Sequence, residues 1–433
     1  MKNYRYIPPC DQIVEFMARI YNNAMTTTSG GNLSIMDEQG DMWISPTCVD
    51  KGTLRREDII CVKADGTIVG PHRPSSEYPF HRDIYKMRPD IKAIVHAHPP
   101  VLVSFSVAGV LPETAIFPVA SRLCGKIGYA EYDIPGSEGL GEKVAAQFAK
   151  GCNAILLENH GTCCAGSSLQ EAFARFETLD FCARMQAGAI TLGQIQPLSP
   201  QQLQECTLPA NGAFTPAEGL RHTTEEIEAR EQICRLVRRA YSQHLFTAAT
   251  GTYGYRLSNG TLLVTPHDGD RANLTPEELV MASPADRQYE SGKNPSAALA
   301  FIAEIFAAHP ELNSVIIAAP PAIMGYATAH AAFDPRVIPE SYIMLREMPS
   351  FTFDEALHDR QKIVRTISPR YPVIIVENSG IITTGSNFLQ PFDRLEVTEY
   401  SARATIACRQ LGGMKPITGK QIDDLVEAFH LPK

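Results

Sequence analysis

Apolar residues at Ile13, Phe16, Met17 and Ile20 fall at i, i+3, i+4 and i+7, the spacing of one buried helical face. A shift of 220 residues lands on Ile233, Leu236, Val237 and Ala240, a second such face. Thr223-x-x-Glu226 precedes it and predicts a capping box at the helix start. After a glycine-rich turn, "GNLSIM", "DMWIS" and "IICVKA" read as short strands. A helix is expected at about 76–87, then the buried strand "KAIVHAH", a helix after Pro99-Pro100 and another near "GLGEKVAAQFAK". The strand "AILLEN" and a closing helix "LQEAFARFETLDFCARMQAG" complete the pattern. Helices alternating with strands imply an α/β class, with a sheet covered by helices in α/β/α layers.

The whole pattern occurs twice. "MWISP" matches "LLVTP" at a shift of 220. "PSSEYPFHRDIYKMRPDIKAIVHAHPP" runs without a gap against "PSAALAFIAEIFAAHPELNSVIIAAPP" at 221, and "AILLENHGTCCAGSS" matches "VIIVENSGIITTGSN" at 219. So small a drift over that length implies two tandem copies of one fold. The stretch between them is rich in proline and glutamine and has little periodicity. It predicts a linker or exposed arm at 196–222, flanked by domains at 1–195 and 223–433.

Composition agrees with two folded domains: 433 residues, 44% hydrophobic and 20% charged. A formal net charge of −9 argues against general nucleic-acid binding, which needs a basic face, though it leaves room for a local anion pocket. The N-terminal stretch lacks a signal-like apolar core, and no run approaches the roughly 20 apolar residues of a membrane helix. The 11 scattered cysteines contain no CxxC pair and read as reduced thiols of a cytoplasmic protein. Cys163-Cys164 reads as small buried side chains beside a strand.

The chemistry is confined to the first copy. Strand alternation points His96 and His98 the same way, and Pro99 ends the strand, so both imidazoles stand at its exit. A second apolar strand finishes in Glu158-Asn159-His160-Gly161. Three histidines from two strand ends match a catalytic metal site with an open position. "PSSEYPFH" supplies Ser75 and Ser76 as N-caps of a helix whose free N–H groups and dipole suit an anion, with Glu77 in the first turn. Gly30 and Gly31 allow close backbone approach to a ligand, Asn32 offers an amide and Thr47 a hydroxyl. At the shifts above, His96, His98 and His160 become Ile317, Ala319 and Ser379, and Ser76, Glu77 and Asn32 become Ala297, Ala298 and Thr252. Pro89/Pro310, Pro99/Pro320, Gly161/Gly380 and Arg175/Arg394 are kept. Histidines that served only packing would have no reason to disappear together, so the second copy is expected to be degenerate.

"GNLS", "SPT", "SSE", "HAH" and "NHG" stand in the order found in the class II aldolase and adducin family, which the first copy resembles over nearly its whole length. The second copy resembles the same fold without its site. The resemblance implies two α/β/α domains with mainly antiparallel sheets, and a homo-oligomer with active sites at subunit contacts. It implies zinc or another divalent ion on His96, His98 and His160, with Glu77 beside it. Gly31, Asn32, Thr47, Ser75 and Ser76 would hold a substrate phosphate, with Glu77 as acid/base at a pKa that burial would raise toward neutrality. "PSSE" is most similar to fuculose- and rhamnulose-phosphate aldolases, which cleave a ketose phosphate to dihydroxyacetone phosphate and an aldehyde through a metal-stabilised enediolate. An epimerase, dehydratase or decarboxylase acting on a related sugar phosphate is the alternative, and a non-catalytic assembly protein the alternative from another class. The second copy would then take a neighbour's place in a pseudo-symmetric ring. Cys48 stands where the family has glycine. Where the aldolases use a tyrosine after the HxH motif, the chain has Phe117, with Tyr129 and Tyr132 further on.

Overall fold

The structure, a computed structural model, describes residues 4–206, 214–220 and 222–431. The chain divides into two compact units: Lys2–Thr114 with Val119–Ala183, and Ala115–Pro118 with Arg184–Lys433.

The first unit is built on eight strands: β1 (Asn32–Met36), β2 (Met42–Ile44), β3 (Ile60–Val62), β4 (Ile68–Val69), β5 (Ala93–Ala97), β6 (Ile127–Ala130), β7 (Ala154–Leu157) and β8 (Thr162–Gly166). They lie in the order β4-β3-β2-β1-β5-β8-β7-β6, and only the β6–β7 pair is parallel. One face carries Met42, Ile44, Ile94, Ile155, Cys163 and Ala165 against Phe80 and Ile84 of the helix Tyr78–Met87 and Val144 and Phe148 of the helix Glu138–Ala149. On the other lies the helix Pro9–Asn22, where Ile13, Phe16, Met17 and Ile20 are all fully buried, as their spacing requires. Phe16 meets Phe173 of the long helix Leu169–Leu192 with ring centroids 5.0 Å apart. Helices therefore cover the sheet on both sides. β8 and β6 are strands that the apolar pattern did not announce. The adjacent Cys163 and Cys164 are free thiols pointing to opposite faces of β8, each with no exposed surface.

The second unit repeats this layout. Its strands are β9 (Thr215–Ala217), β10 (Thr252–Arg256), β11 (Leu262–Val264), β12 (Val280–Ser283), β13 (Gln288–Glu290), β14 (Ser314–Ala318), β15 (Ser350–Phe351), β16 (Val373–Val376) and β17 (Gly380–Gly385). The order β15-β16-β17-β14-β10-β11-β12-β13-β9 is the first sheet read backwards with one strand added at the edge. Details recur too. Pro46 bridges Pro74 in the first unit, and Pro266 bridges Pro295 in the second. Arg175 donates to the carbonyls of Ala165 and Leu123, and Arg394 to those of Thr384 and Met344. The helix Thr224–Ser242 begins with the Thr223/Glu226 capping box.

The expected linker is not featureless. It contains a six-residue helix, Pro200–Glu205, and the added strand β9, which pairs parallel to β13. Its residues 207–213 and 221 lie outside the described residues. Among the described residues no helix is long and apolar enough to cross a membrane.

Candidate active site and metal centre

The register of the first sheet builds the site. Asn32 of β1 is paired with His96 of β5, and His96 in turn with Cys163 of β8, so the three side chains share one face. His98 follows β5 directly. His160 sits in the four-residue turn between β7 and β8, where Asn159 takes a left-handed conformation (φ 50°). Glu77 stands at the boundary of the helix Tyr78–Met87, above the same face. Two glycines permit the approach of these loops. Gly31 has φ 71°, and a Cβ there would lie 2.8 Å from the His96 carbonyl oxygen. At Gly161 a Cβ would lie 2.5 Å from His98 Cδ2.

His96, His98 and His160 each turn a ring nitrogen inward, and these atoms lie within 4.8 Å of one another. His96 Nε2 is 3.1 Å from His98 Nε2 and 3.2 Å from Glu77 Oε2, while His160 Nε2 is 3.2 Å from Glu77 Oε1. His96 Nδ1 donates to the Thr162 carbonyl at 3.1 Å. A carbonyl only accepts, so Nδ1 carries a proton and Nε2 is the nitrogen turned inward, the arrangement that metal-ligating histidines show. Burial, with His96 and His160 alongside, pushes His98 down to about 3. Burial and His96 push His160 down to about 4. Buried Glu77 Oε1 accepts no hydrogen bond. Imidazole nitrogens facing one another across about 3 Å, beside a carboxylate oxygen with an unused lone pair, form a donor set that fits one divalent cation.

One expectation changes sign. Burial does oppose ionisation of Glu77, but His96 and His160 beside it and the Asn32 amide outweigh burial, holding the carboxyl below its usual range. Glu77 is an ionised carboxylate, not a near-neutral acid.

The residues expected at a phosphate lie around this centre. Thr47 N–H donates to the Arg73 carbonyl and Ser75 N–H to the Ser45 carbonyl, which joins the "SPT" and "SSE" loops. Ser76 is exposed, Thr47 is half-buried and Ser75 is buried. Ser75 Oγ accepts the Glu77 N–H at 3.3 Å, so the serines sit one turn ahead of the helix and do not cap it directly. The Asn32 amide is already used at both ends: Nδ2 donates to Glu77 Oε2 at 2.7 Å and Oδ1 faces His81 Nε2 at 2.5 Å. Tyr129 lies on β6, three strands from β5 in the sheet order, and Tyr132 is exposed. Sequence reasoning missed His81, Tyr85 and Ser34, all buried behind Asn32, and Lys51, which donates to the Pro46 carbonyl and is lowered to about 8 by burial. In the second unit the equivalent place is a cavity of about 300 Å³ lined by Ala297, Ala298, Ile317, Ser379 and Gly380, with Phe301.

Comparison with known proteins identifies the family. The model of the class II aldolase and adducin N-terminal domain matches residues 11–187 and again 231–406. An L-fuculose phosphate aldolase of Methanocaldococcus jannaschii is 32% identical over 176 residues, 40% of this chain and 93% of the relative. A 3-oxo-tetronate 4-phosphate decarboxylase of Pectobacterium atrosepticum is 34% identical over 179 residues, 40% of this chain and 81% of the relative. A solved L-fuculose 1-phosphate aldolase shares 28% identity over 45% of this chain and 92% of its own, with a TM-score of 0.42. The chain belongs to the class II aldolase and adducin family, as a tandem duplication whose first copy carries the histidine and glutamate cluster.

Proposed function

We propose that the protein is a metal-dependent aldolase that cleaves a ketose phosphate of the fuculose- or rhamnulose-phosphate type to dihydroxyacetone phosphate and an aldehyde. The observation that supports this most is the meeting of three imidazole nitrogens and one ionised carboxylate on a single sheet face. His96, His98 and His160, with Glu77 beside them, would hold zinc or another divalent transition ion. When bound, such an ion supplies Lewis acidity for the negative charge that develops as the carbon–carbon bond breaks.

The chain's own residues do the rest. In the synthetic direction ionised Glu77 takes the C3 proton of dihydroxyacetone phosphate, and in cleavage it returns that proton to C3. In cleavage the C4 hydroxyl gives up its proton, which passes through solvent water to ionised Glu77, the C3–C4 electron pair stays on C3 as the aldehyde departs, and Glu77 hands the proton on to C3. Gly31, Asn32, Thr47, Ser75 and Ser76 receive the phosphate. Thr47 and Ser76 are the more open of these, and Asn32 acts while tethered to Glu77. Residues 1–195 form the catalytic domain, 196–222 the connection, and 223–433 a degenerate partner within a cytoplasmic homo-oligomer.

The similarity to the decarboxylase favours a second reading on the same site: loss of carbon dioxide from a phosphorylated sugar acid leaves charge at an equivalent carbon. A panel of phosphorylated ketoses and sugar acids, read by product mass, separates the two. Dihydroxyacetone phosphate with an aldehyde supports the aldolase, and a loss of carbon dioxide replaces it. Glu77→Ala is expected to keep its metal and lose about 10²–10⁴-fold in kcat. Full turnover in that variant would remove Glu77 from the mechanism.

A further inference from the structure

Behind the carboxylate runs a buried line of polar side chains to which the reaction gives no role. Tyr85 Oη lies 2.7 Å from Ser34 Oγ, and Ser34 Oγ lies 2.7 Å from His81 Nδ1. His81 Nε2 faces Asn32 Oδ1, and Asn32 Nδ2 faces Glu77 Oε2. His81 and Ser34 have no exposed surface, and Tyr85 has 6%. Glu77, His81 and Tyr85 follow one another at intervals of four on the same side of the helix. Asn32 and Ser34 lie two apart on β1, on the side that meets it.

We propose that His81 is a positioning residue: it locks the Asn32 amide in the one orientation that donates to Glu77. The direction of every bond follows from chemistry. The ionised carboxylate only accepts, so the Asn32 NH₂ end faces it and Oδ1 faces His81. That oxygen only accepts, so the His81 proton is on Nε2. Nδ1 is then bare and accepts the Ser34 hydroxyl proton, which leaves the Ser34 oxygen to accept from Tyr85. Reversing any member sets donor against donor or acceptor against acceptor among buried side chains. The relay thus has one state, and that state fixes Oε2 of Glu77 while leaving Oε1, which accepts no hydrogen bond, toward His160.

The second copy supplies the control. Ser34, His81 and Tyr85 correspond to Gly254, Ile302 and Phe306. A Cβ on Gly254 would lie 2.8 Å from Ile302, so apolar packing has filled the space of the relay. The helix itself persists as Leu299–Ala308. The relay disappears where the glutamate disappears, whereas groups needed only to hold helix on sheet would have been kept.

The catalytic consequence rests on the proposed role of Glu77, but the relay is tested without it. In the metal-free full-length protein labelled with ¹⁵N-histidine, two-bond ¹H–¹⁵N correlation reads each ring's tautomer. The His81 resonance is identified by its absence in His81→Gln. A neutral Nε2–H ring is expected, and an Nδ1–H ring overturns the proposal. For the consequence, His81→Leu removes both contacts, whereas His81→Gln keeps an amide donor where Nε2–H stood. His81→Leu should lower kcat about 10–100-fold, with KM and zinc per chain unchanged, and His81→Gln should recover most of that loss. Wild-type kcat in His81→Leu, or His81→Gln no better than His81→Leu, overturns the proposal. If His81→Leu does not fold, His81→Asn, whose shorter amide reaches only Ser34, takes its place with the same expectation. If the wild type turns over no sugar phosphate in the panel, the functional reading falls and the tautomer alone decides the relay.

Discussion

Gly161→Ala isolates the geometry of the metal centre from the chemistry of its ligands. Gly161 is not in the left-handed region, so alanine meets no backbone penalty there and the effect is one of space. The new methyl carbon would stand 2.5 Å from His98 Cδ2 and 2.7 Å from the Ala97 carbonyl oxygen. Carbon atoms pack at about 3.5–4.0 Å, so roughly 1 Å of overlap must be relieved. The Ala97 carbonyl belongs to β5 and is held in the sheet, which leaves the His98 ring and the His160 turn to move. A ligand displaced by about 1 Å should lose about 10–100-fold in metal affinity, or roughly 1.4–2.8 kcal/mol. Folding stability should fall by about 1–3 kcal/mol, as for other overpacked sites. Zinc affinity is measured by competition with a chromophoric chelator and stability by urea melt, with Gly193→Ala, which meets nothing within 4 Å, as the neutral control. Wild-type zinc affinity in a folded Gly161→Ala protein would refute the argument, because the methyl would then have been accommodated without moving His98.

Other perturbations follow from the same contacts. His81, His98 and His160 are held below the ordinary histidine value of 6.5, at about 3, 3 and 4. Below pH 6.5 the unfolded chain therefore binds protons that the folded chain refuses. The stability of metal-free protein is full above pH 6.5 and falls as the pH drops toward 4, on the order of 2 kcal/mol per histidine by pH 5; a urea midpoint equal at pH 7 and pH 5 would contradict this. Glu399, fully buried, accepts from the N–H groups of Ala322 and Ile323 and from Arg403. Glu399→Ala leaves those donors unpaired and should cost about 2–4 kcal/mol in a urea melt, and a change within error of zero would show that water replaces the carboxylate. Residues 1–210 expressed alone should show an altered oligomer by light scattering and reduced turnover; an unaltered oligomer with full activity would refute a structural role for the second copy.

Periodicity shows only what obeys the ordinary division of apolar inside and polar outside. The faces Ile13/Phe16/Met17/Ile20 and Ile233/Leu236/Val237/Ala240 obey it, and so does β5, apolar until its histidine. The histidine cluster was legible because the chain carries a copy of itself without it. β8 was not, because "TCCAG" is short and mixed, and nothing local tells a central strand from a loop beside one. His81, Tyr85 and Ser34 were hidden for a different reason. The alternation Asn32–Leu33–Ser34–Ile35 looks like a strand with one wet side, and His81 looks like the polar side of an amphipathic helix. Those two polar sides face each other across a buried seam. Only the replacements Gly254, Ile302 and Phe306 carried that signal.

The place of β5 between β1 and β8 has a consequence for how the chain matures. Its histidine is brought opposite the β7–β8 turn only when strands drawn from both ends of the first copy have closed around it. A slip of one residue in that pairing would turn His96 to the opposite side of the sheet. An ion that needs all three rings thus selects the chain with its central strand inserted in register. Uptake of the proposed ion would serve as a clock for the last stage of assembly, and its binding energy would stabilise the whole sheet by mass action instead of a single loop.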